Sequence, residues 1–121
     1  MSSASVPSSP IIKLYRGHGR GREYRSVDQL LYLRSEQNYT WLVWTDGEQV
    51  LIPRTLNYFQ LPASWFIRLH RNCLANRGYV TGLKQESGGY VACLCTGEQL
   101  PISRRRLSRV RQSLREPYTP P

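Results

Sequence analysis

The chain has 121 residues, enough for one domain with a real core, and its 40% hydrophobic and 11% aromatic content excludes a disordered chain. No apolar run approaches the roughly 20 residues that a membrane-spanning helix needs. The formal net charge is +9, and 15 of the 17 basic residues are arginine. This charge indicates a polyanionic partner, and the arginines favour phosphate because a planar guanidinium group binds two oxygens at once.

Both ends of the chain have a composition unlike the middle. Residues 1–10, MSSASVPSSP, and residues 116–121, EPYTPP, lack periodicity, so we expect flexible tails on either side of one domain at residues 11–115. The first residues also lack the basic and apolar regions of a secretory signal. We therefore expect a cytoplasmic protein.

The first half of the domain is predicted to be a series of short strands. IIKLYRG and REYRSV flank HGRG, whose glycines suit a hairpin turn. DQLLYLRS then leads through EQN into YTWLVWT, a strand that is apolar on both faces and therefore internal to its sheet. After the turn TDGEQ, VLIPRTLNYFQLP predicts a strand followed by one or two helical turns that stop before Pro62.

The second half continues this pattern. In FIRLHRNCLANR, Ile67 and Leu69 point to one side and Phe66, Arg68 and His70 to the other, as in a strand. YVACLCTGEQLPISRRRL repeats the order of YTWLVWTDGEQVLIPRTL, which is strand, glycine-containing turn, strand and helix start. With turn signals about every dozen residues, the sequence predicts a mainly β fold with one or two short helices.

The segment LPISRRRLSRVRQSLR, residues 100–115, has six arginines and no acidic residue. With Ser103 as N-cap, a helix from Arg104 places three apolar residues on one face, where they can pack on the sheet. Arginines in the first helical turn oppose the helix dipole by about 0.3–1 kcal/mol each. An anion at the helix start reverses that cost, so Arg104, Arg105 and Arg106 predict a phosphate-binding site.

A second candidate binding segment is FIRLHRNCLANR, residues 66–77. Arg71 lies just past the predicted strand, and Asn72 and Asn76 follow in a turn where each can hold a phosphate or read a base edge. His70 shares the side of Phe66, so a structural role is expected for it. Arg71 is the strongest candidate for contact in this segment.

Signatures of catalysis and of metal binding are missing from the sequence. It contains no GxSxG, P-loop or HExxH motif, and no acidic residue is placed to orient His70 toward Cys73. Cys73, Cys93 and Cys95 have no CxxC spacing, and we expect buried free thiols. The sequence therefore predicts a protein that is not an enzyme and has no metal or other cofactor.

Three stretches together resemble the LytTR DNA-binding domain of bacterial response regulators. They are DQLLYLRSEQNYTWLVWTDGEQVLIPRTL, FIRLHRNCLANRGYV and GEQLPISRRRL, and the resemblance covers residues 11 to about 115. It implies an elongated β fold whose loops, rather than a recognition helix, enter successive major grooves of duplex DNA. It also implies that two copies, monomeric without DNA, bind direct repeats and bend the duplex.

Carried over residue by residue, the resemblance implies two kinds of DNA contact. The base-reading residues would be Asn38 or Tyr39, Arg71 and Arg104. The phosphate contacts would be Gln37, Arg68, Asn72 and Arg105. The charge argument marks the same second and third loops, but it does not mark the first.

The sequence also departs from the family pattern. Arg34 stands where an acidic residue is common, and HRNCLAN replaces the commoner HRSYLVN, so the loop near Cys73 is expected to pack differently. We expect no phosphoacceptor domain in this chain.

Two other functions compete with duplex recognition. Tyr39, Trp41, Trp44 and Tyr90 offer stacking platforms for a single-stranded nucleic acid beside a basic groove. Alternatively, the domain is a basic module for an acidic protein or an anionic membrane surface, although the arginine-rich helix lacks a bulky aromatic face.

Overall fold

The computed structural model describes residues 11–15 and 22–116, and side chains from Arg25 onward. The predicted N-terminal tail at residues 1–10, all but the first residue of the predicted C-terminal tail at residues 116–121, and the tip of the first hairpin lie outside these residues. The strands are β1 (Ile11–Tyr15), β2 (Arg22–Ser26), β3 (Leu30–Glu36), β4 (Tyr39–Trp44), β5 (Gln49–Ile52), β6 (Phe66–His70), β7 (Cys73–Asn76), β8 (Val80–Glu86), β9 (Gly89–Leu94) and β10 (Gln99–Ile102), and the α-helix is α1 (Leu107–Arg115). Four short 3-10 turns connect them, at Val27–Gln29, Leu56–Tyr58, Arg77–Tyr79 and Arg104–Arg106. No helix in this part of the chain is long and apolar enough to cross a bilayer.

The strands form antiparallel sheets, which confirms the predicted mainly β class. Strands β1 and β2 pair as the predicted first hairpin. The main sheet has five strands in the order β5-β4-β3-β7-β6, and a smaller sheet has the order β10-β9-β8. Strand β4 lies between two neighbours, as the apolar character of both its faces predicts.

The five-stranded sheet is covered on both faces. One apolar cluster joins Leu33, Leu42 and Phe66 to Leu56 and Phe59 of the segment after β5. A second cluster, on the other face, contains Ile67 and Leu69 of β6, the small sheet and α1. Phe66 thus points to one face and Ile67 and Leu69 to the other, which confirms the predicted alternation in β6.

The small sheet repeats the architecture of half of the large one. We call residues 27–52 the first repeat and residues 77–102 the second repeat. Each consists of a 3-10 turn and three antiparallel strands, which begin at residues 30, 39 and 49 in the first repeat and at residues 80, 89 and 99 in the second. A β-bulge interrupts the first strand of each repeat at the same place, between residues 30 and 32 and between residues 80 and 82.

The second hairpin turn is also the same in both repeats. The N–H of Trp44 donates to the carbonyl of Glu48, and that of Leu94 to the carbonyl of Glu98, each at 2.9 Å. Gly47 and Gly97 have φ angles of +94° and +95°, which residues other than glycine rarely adopt. The sequence similarity between TDGEQ and TGEQ therefore reflects one turn used twice.

Specific hydrogen bonds join the two repeats. The Tyr79 hydroxyl donates to the carbonyl of Asp28 at 2.6 Å, and the Tyr32 hydroxyl donates to Oε2 of Glu98 at 2.9 Å. Burial, together with the Glu98 carboxylate, raises the pKa of Tyr32 to about 12, so this hydroxyl keeps its proton at neutral pH. These contacts fix the small sheet against the large one.

Candidate nucleic-acid interface

Two predicted contact segments meet at one end of the five-stranded sheet. Strand β3 is antiparallel to both β4 and β7, so its C-terminal end lies beside their N-terminal ends. This places residues 37–39, here called loop 1, near residues 71–72, called loop 2. The N–H of Ser35 donates to the carbonyl of Asn72 at 2.9 Å, and the Ser35 hydroxyl donates to Oδ1 of Asn72 at 3.1 Å.

The arginine segment joins this end of the molecule as loop 3, residues 103–106. The N–H of Ser103 donates to the carbonyl of Leu69 at 3.0 Å, which fixes loop 3 to the last residues of β6. Loops 2 and 3 enclose a cleft of about 420 Å³, here called the interloop cleft. Its lining residues are His70, Arg71, Asn72, Ser103, Arg105 and Arg106.

Arg68 and His70 set the shape of loop 2. The Arg68 guanidinium donates to the carbonyl of His70 at 3.1 Å and to that of Arg71 at 2.7 Å. The N–H of Asn72 donates to Nδ1 of His70 at 3.1 Å, which places the proton of the neutral imidazole on Nε2. The expected structural role of His70 is therefore seen, and Arg68, predicted to contact phosphate, holds the loop backbone.

The interloop cleft carries concentrated positive charge. Burial, and then the charges of Arg68, Arg106 and Arg71, lower the pKa of His70 below its usual value, so the imidazole is neutral at pH 7. Burial and the nearby Arg106 also lower the pKa of Arg68. A group of cations that disfavours one more positive charge will favour an anion.

Loop 1 presents polar and aromatic side chains to solvent. Gln37 and Asn38 form the turn between β3 and β4, and both side chains are exposed. Gln37 has a φ angle of +57°, in the left-handed region that residues other than glycine seldom adopt. The Tyr39 side chain is 46% exposed. All three predicted residues of loop 1 are thus accessible to a partner.

Loop 3 differs from the sequence-based expectation in where its helix begins. Arg104, Arg105 and Arg106 form a 3-10 turn, and α1 starts at Leu107 rather than at Arg104. Ser103 occupies the N-cap position of this 3-10 turn, as predicted, but its side chain makes no capping hydrogen bond, and Arg106 stands at the N-cap of α1. Arg104 and Arg105 are exposed beside the positive end of α1, as the phosphate argument requires.

The predicted apolar face of α1 is confirmed. Val110 is fully buried in the second cluster, and Leu107 and Leu114 pack against it. With this face on the sheet, Arg109, Arg111 and Arg115 lie exposed on the rest of the helix.

Comparison with known proteins identifies this arrangement. The family model of the LytTr DNA-binding domain matches residues 23–115. The chain belongs to the LytTR family. A similar solved structure is the LytTr DNA-binding domain of a Bacillus cereus protein described as a methyl-accepting/DNA response regulator, with a TM-score of 0.71 and 20% identity, covering 86% of this chain and 95% of that one. At that identity the likeness shows the fold alone, and a search of curated proteins gave no match.

Membership in the family makes this LytTR domain a DNA-binding domain of the type found in transcription regulators. The structure brings together Arg71 and Asn72 of loop 2 and Arg105 of loop 3 at the interloop cleft. Arg104 precedes Arg105 in loop 3. Asn72 is also bonded to the strand that leads into loop 1. The LytTR domain therefore has its three predicted contact segments at one end.

One candidate from the sequence is a structural residue. Asn76 is 1% exposed, its amide donates to the carbonyl of Leu30 at 2.8 Å, and its Oδ1 accepts from the N–H of Gly78 at 3.0 Å. Asn76 therefore caps a 3-10 turn inside the fold, and its prediction as a base or phosphate contact is wrong.

Two further basic residues of the LytTR domain belong at this end. Arg106 lines the interloop cleft with Arg105. Arg54 is exposed just after β5, and the Thr40 hydroxyl donates to its carbonyl at 2.7 Å, next to loop 1. The internal sequence similarity could have revealed Arg54, because it follows β5 as Arg104 follows β10.

The aromatic residues considered as stacking platforms do not form one surface. Trp44 is 1% exposed, and the Arg25 guanidinium lies 3.8 Å from its ring centre. The Arg111 guanidinium lies over the Tyr90 ring at 4.8 Å. Trp41 is half-buried and donates to Oε1 of Glu36 at 3.3 Å. Tyr39 is the exposed member of this set.

The cysteines of the LytTR domain are free, but only Cys73 is buried, whereas Cys93 is half-buried and Cys95 exposed. The expectation of buried thiols is therefore confirmed for Cys73 and wrong for Cys93 and Cys95. Burial raises the pKa of Cys73 to about 12, so its thiol stays protonated beside His70.

Proposed function

We propose that this LytTR domain recognises duplex DNA sequence-specifically, with loops 1, 2 and 3 in successive major grooves, as a regulator of transcription. The observation that supports the proposal is the interloop cleft. Arginines from loops 2 and 3 line it together with an asparagine, and no carboxylate lines it among the described residues. Such a surface suits a phosphate backbone and the acceptor atoms of guanine.

The proposed base contacts come from exposed side chains on backbone that is held in place. They are Asn38 or Tyr39 in loop 1, Arg71 in loop 2 and Arg104 in loop 3. Arg71 is the best supported, because Arg68 holds its carbonyl while its own side chain is exposed. A fixed backbone lowers the entropy lost when a long side chain binds.

The proposed phosphate contacts surround these positions. They are Gln37, Asn72 and Arg105, with Arg68 contributing through guanidinium N–H groups that the loop carbonyls do not use. Asn72 is oriented by the Ser35 hydroxyl, and Arg105 faces it across the interloop cleft. Contacts of this kind fix the register of a protein on DNA without reading sequence.

We further propose that two copies, monomeric in the absence of DNA, bind a direct repeat on one face of the duplex and bend it. The three loops of one copy contact only a short DNA sequence, and a second copy doubles the length of DNA that is recognised. Sedimentation of the protein alone, with a one-site duplex and with a two-site duplex checks this. One copy per site is expected, and a stable dimer without DNA would contradict it.

The test of sequence-specific reading uses three variants and two duplexes, one selected from a random pool and one scrambled. Arg71→Ala should weaken binding to the selected duplex by about 1–3 kcal/mol and leave the scrambled duplex nearly unchanged. Arg105→Ala should weaken both alike, and Arg115→Ala, an exposed arginine of α1, is the control. Equal losses on both duplexes for Arg71→Ala would refute the base-reading role.

The same titrations decide between the competing functions. A single strand should fail to displace the duplex at equal nucleotide concentration. Displacement would favour the single-strand function, with Tyr39 as its stacking residue.

A further inference from the structure

A cavity of about 350 Å³ lies between the segment after β5 and helix α1. Its apolar lining includes Phe59, Leu61, Phe66 and Leu74. This volume lies in the range of pockets that bind small organic molecules, and the lining combines these apolar side chains with polar ones. The cavity is separate from the six residues that line the interloop cleft, except at Arg106.

The cavity is also cationic at its edge. Arg68, Arg106 and Arg109 line it, and no carboxylate does so among the described residues. Within that part of the chain neither Arg106 nor Arg109 forms an ion pair. Three guanidinium groups around one apolar space repel each other, and a single anion between them would remove that repulsion.

We propose that this cavity binds a small organic acid, with its apolar body on Phe59, Leu61, Phe66 and Leu74 and its carboxylate on Arg106 and Arg109. Guanidinium groups bind carboxylates through paired charge-assisted hydrogen bonds. The apolar lining supplies binding energy in proportion to the hydrocarbon it removes from water. Neither part alone fills the site, so the ligand must carry both.

The site is placed to control DNA binding, a consequence that rests on the proposed function. Arg106 lines the cavity and the interloop cleft, and Arg68 lines the cavity while it holds the carbonyls of loop 2. A carboxylate in the cavity draws the Arg106 charge away from the cleft. The acid therefore weakens DNA binding, and by linkage DNA weakens binding of the acid by the same factor.

The first experiment measures the site without DNA, so that it stands apart from the proposed function. Sodium octanoate is titrated into the ¹⁵N-labelled protein. Sodium acetate, which has the carboxylate without the long chain, and octan-1-ol, which has the chain without the carboxylate, are titrated separately. We expect saturable amide shifts at Leu61, Phe66 and Arg109, with at least tenfold weaker binding of acetate and octanol. Equal binding of octanol, or shifts confined to other residues, would overturn the proposal.

Variants then locate the ligand. Arg109→Gln should weaken octanoate binding at least fivefold, whereas Arg115→Gln, on the same helix and outside the cavity, should leave it unchanged. Ala63 is exposed and lines the cavity, so Ala63→Trp should block it without removing a core side chain. Unchanged octanoate binding in both Arg109→Gln and Ala63→Trp would refute the site.

The second experiment tests the coupling. Saturating octanoate should weaken binding to the selected duplex at least threefold relative to sodium chloride at the same concentration, a control needed because DNA binding depends on salt. Ala63→Trp should bind DNA normally and lose this effect. Octanoate binding without any change in DNA affinity would refute the coupling alone.

Discussion

The two repeats have the same backbone arrangement but present different surfaces. In both, a 3-10 turn leads into a bulged strand and a hairpin that ends on the same glycine-containing turn. Strand β3 of the first repeat pairs with β7, which pairs with β6, and the resulting sheet is covered on both faces. The second forms a sheet of its own, and much of β8 is exposed.

The loops show what this difference means. The first repeat has Gln37 and Asn38 at its β3–β4 turn, whereas the second has Ser87 and Gly88, which offer little side chain to a partner. The second repeat reaches the interface through the segment after β10, which carries Arg104 where the first repeat carries Arg54. The hairpins thus supply the scaffold, and the pairing of β3 with β7 brings loops 1 and 2 together at the proposed DNA interface.

The largest expected effect concerns stability, because the residues before the two repeats differ in burial. Asn76 is buried and bonded to both repeats, while Ser26 accepts from the N–H of Asp28 at an exposed site. Asn76→Ala should lower the free energy of unfolding by about 2–4 kcal/mol, and Ser26→Ala by less than about 1 kcal/mol. Urea denaturation measures both free energies of unfolding. Equal losses would show that Ser26 and Asn76 contribute equally to stability and would contradict this prediction.

A smaller effect is expected at the matched arginines. Arg104→Ala should weaken binding to the selected duplex by about 1–3 kcal/mol and relax base preference. Arg54→Ala should weaken all duplexes and reduce the slope of log Kd against log salt by about 1. Titrations at three salt concentrations distinguish them. If Arg54→Ala weakened binding to the selected duplex more than to the scrambled one, Arg54 would also read base sequence, and the two repeats would have the same role.

The pH dependence of stability isolates loop 2, which neither repeat contains. The folded protein holds the pKa of His70 below that of the unfolded chain, so folding favours the neutral imidazole. Stability from this group is full above pH 6.5, the unfolded value, and is lost as the pH falls toward the lower folded pKa. In thermal melts, His70→Gln should lose this fall in stability at low pH. An unchanged fall would show that another group causes it.

The smallest effect is expected at the tips of the β3–β4 and β8–β9 turns. Gln37 has a left-handed backbone, so Gln37→Gly removes the side chain while it relieves strain of about 1 kcal/mol. We expect unchanged or slightly raised stability and about twofold weaker DNA binding. Ser87→Gly, in the corresponding turn, should leave DNA binding unchanged. Equal behaviour of the two variants would mean that the Gln37 side chain contributes nothing to DNA binding.

Much of the fold could be predicted because its signals are local. Glycine-containing turns and alternating apolar residues gave the hairpins, the two faces of β6 and the apolar face of α1. The start of α1 was missed by three residues, because Ser103 begins a 3-10 turn of arginines and makes no side-chain capping hydrogen bond.

What the sequence did not reveal at the site depends on contacts that no local pattern shows. Asn76 looks like a loop residue until Leu30 is placed beside it. Arg68 looks like a surface cation until the turn after β6 brings two carbonyls to its guanidinium. The cavity at Arg109 needs the segment after β5 to face α1, which no local pattern reveals.

The most direct test of the central claim is selection from a randomised duplex pool near physiological salt, done in parallel with the natural protein and Arg71→Ala. If the three loops read sequence, the natural protein should converge on a short repeated motif, and the variant should lose preference at one position of each repeat. Retention without convergence would contradict sequence-specific reading, since affinity would then come from counterion release alone.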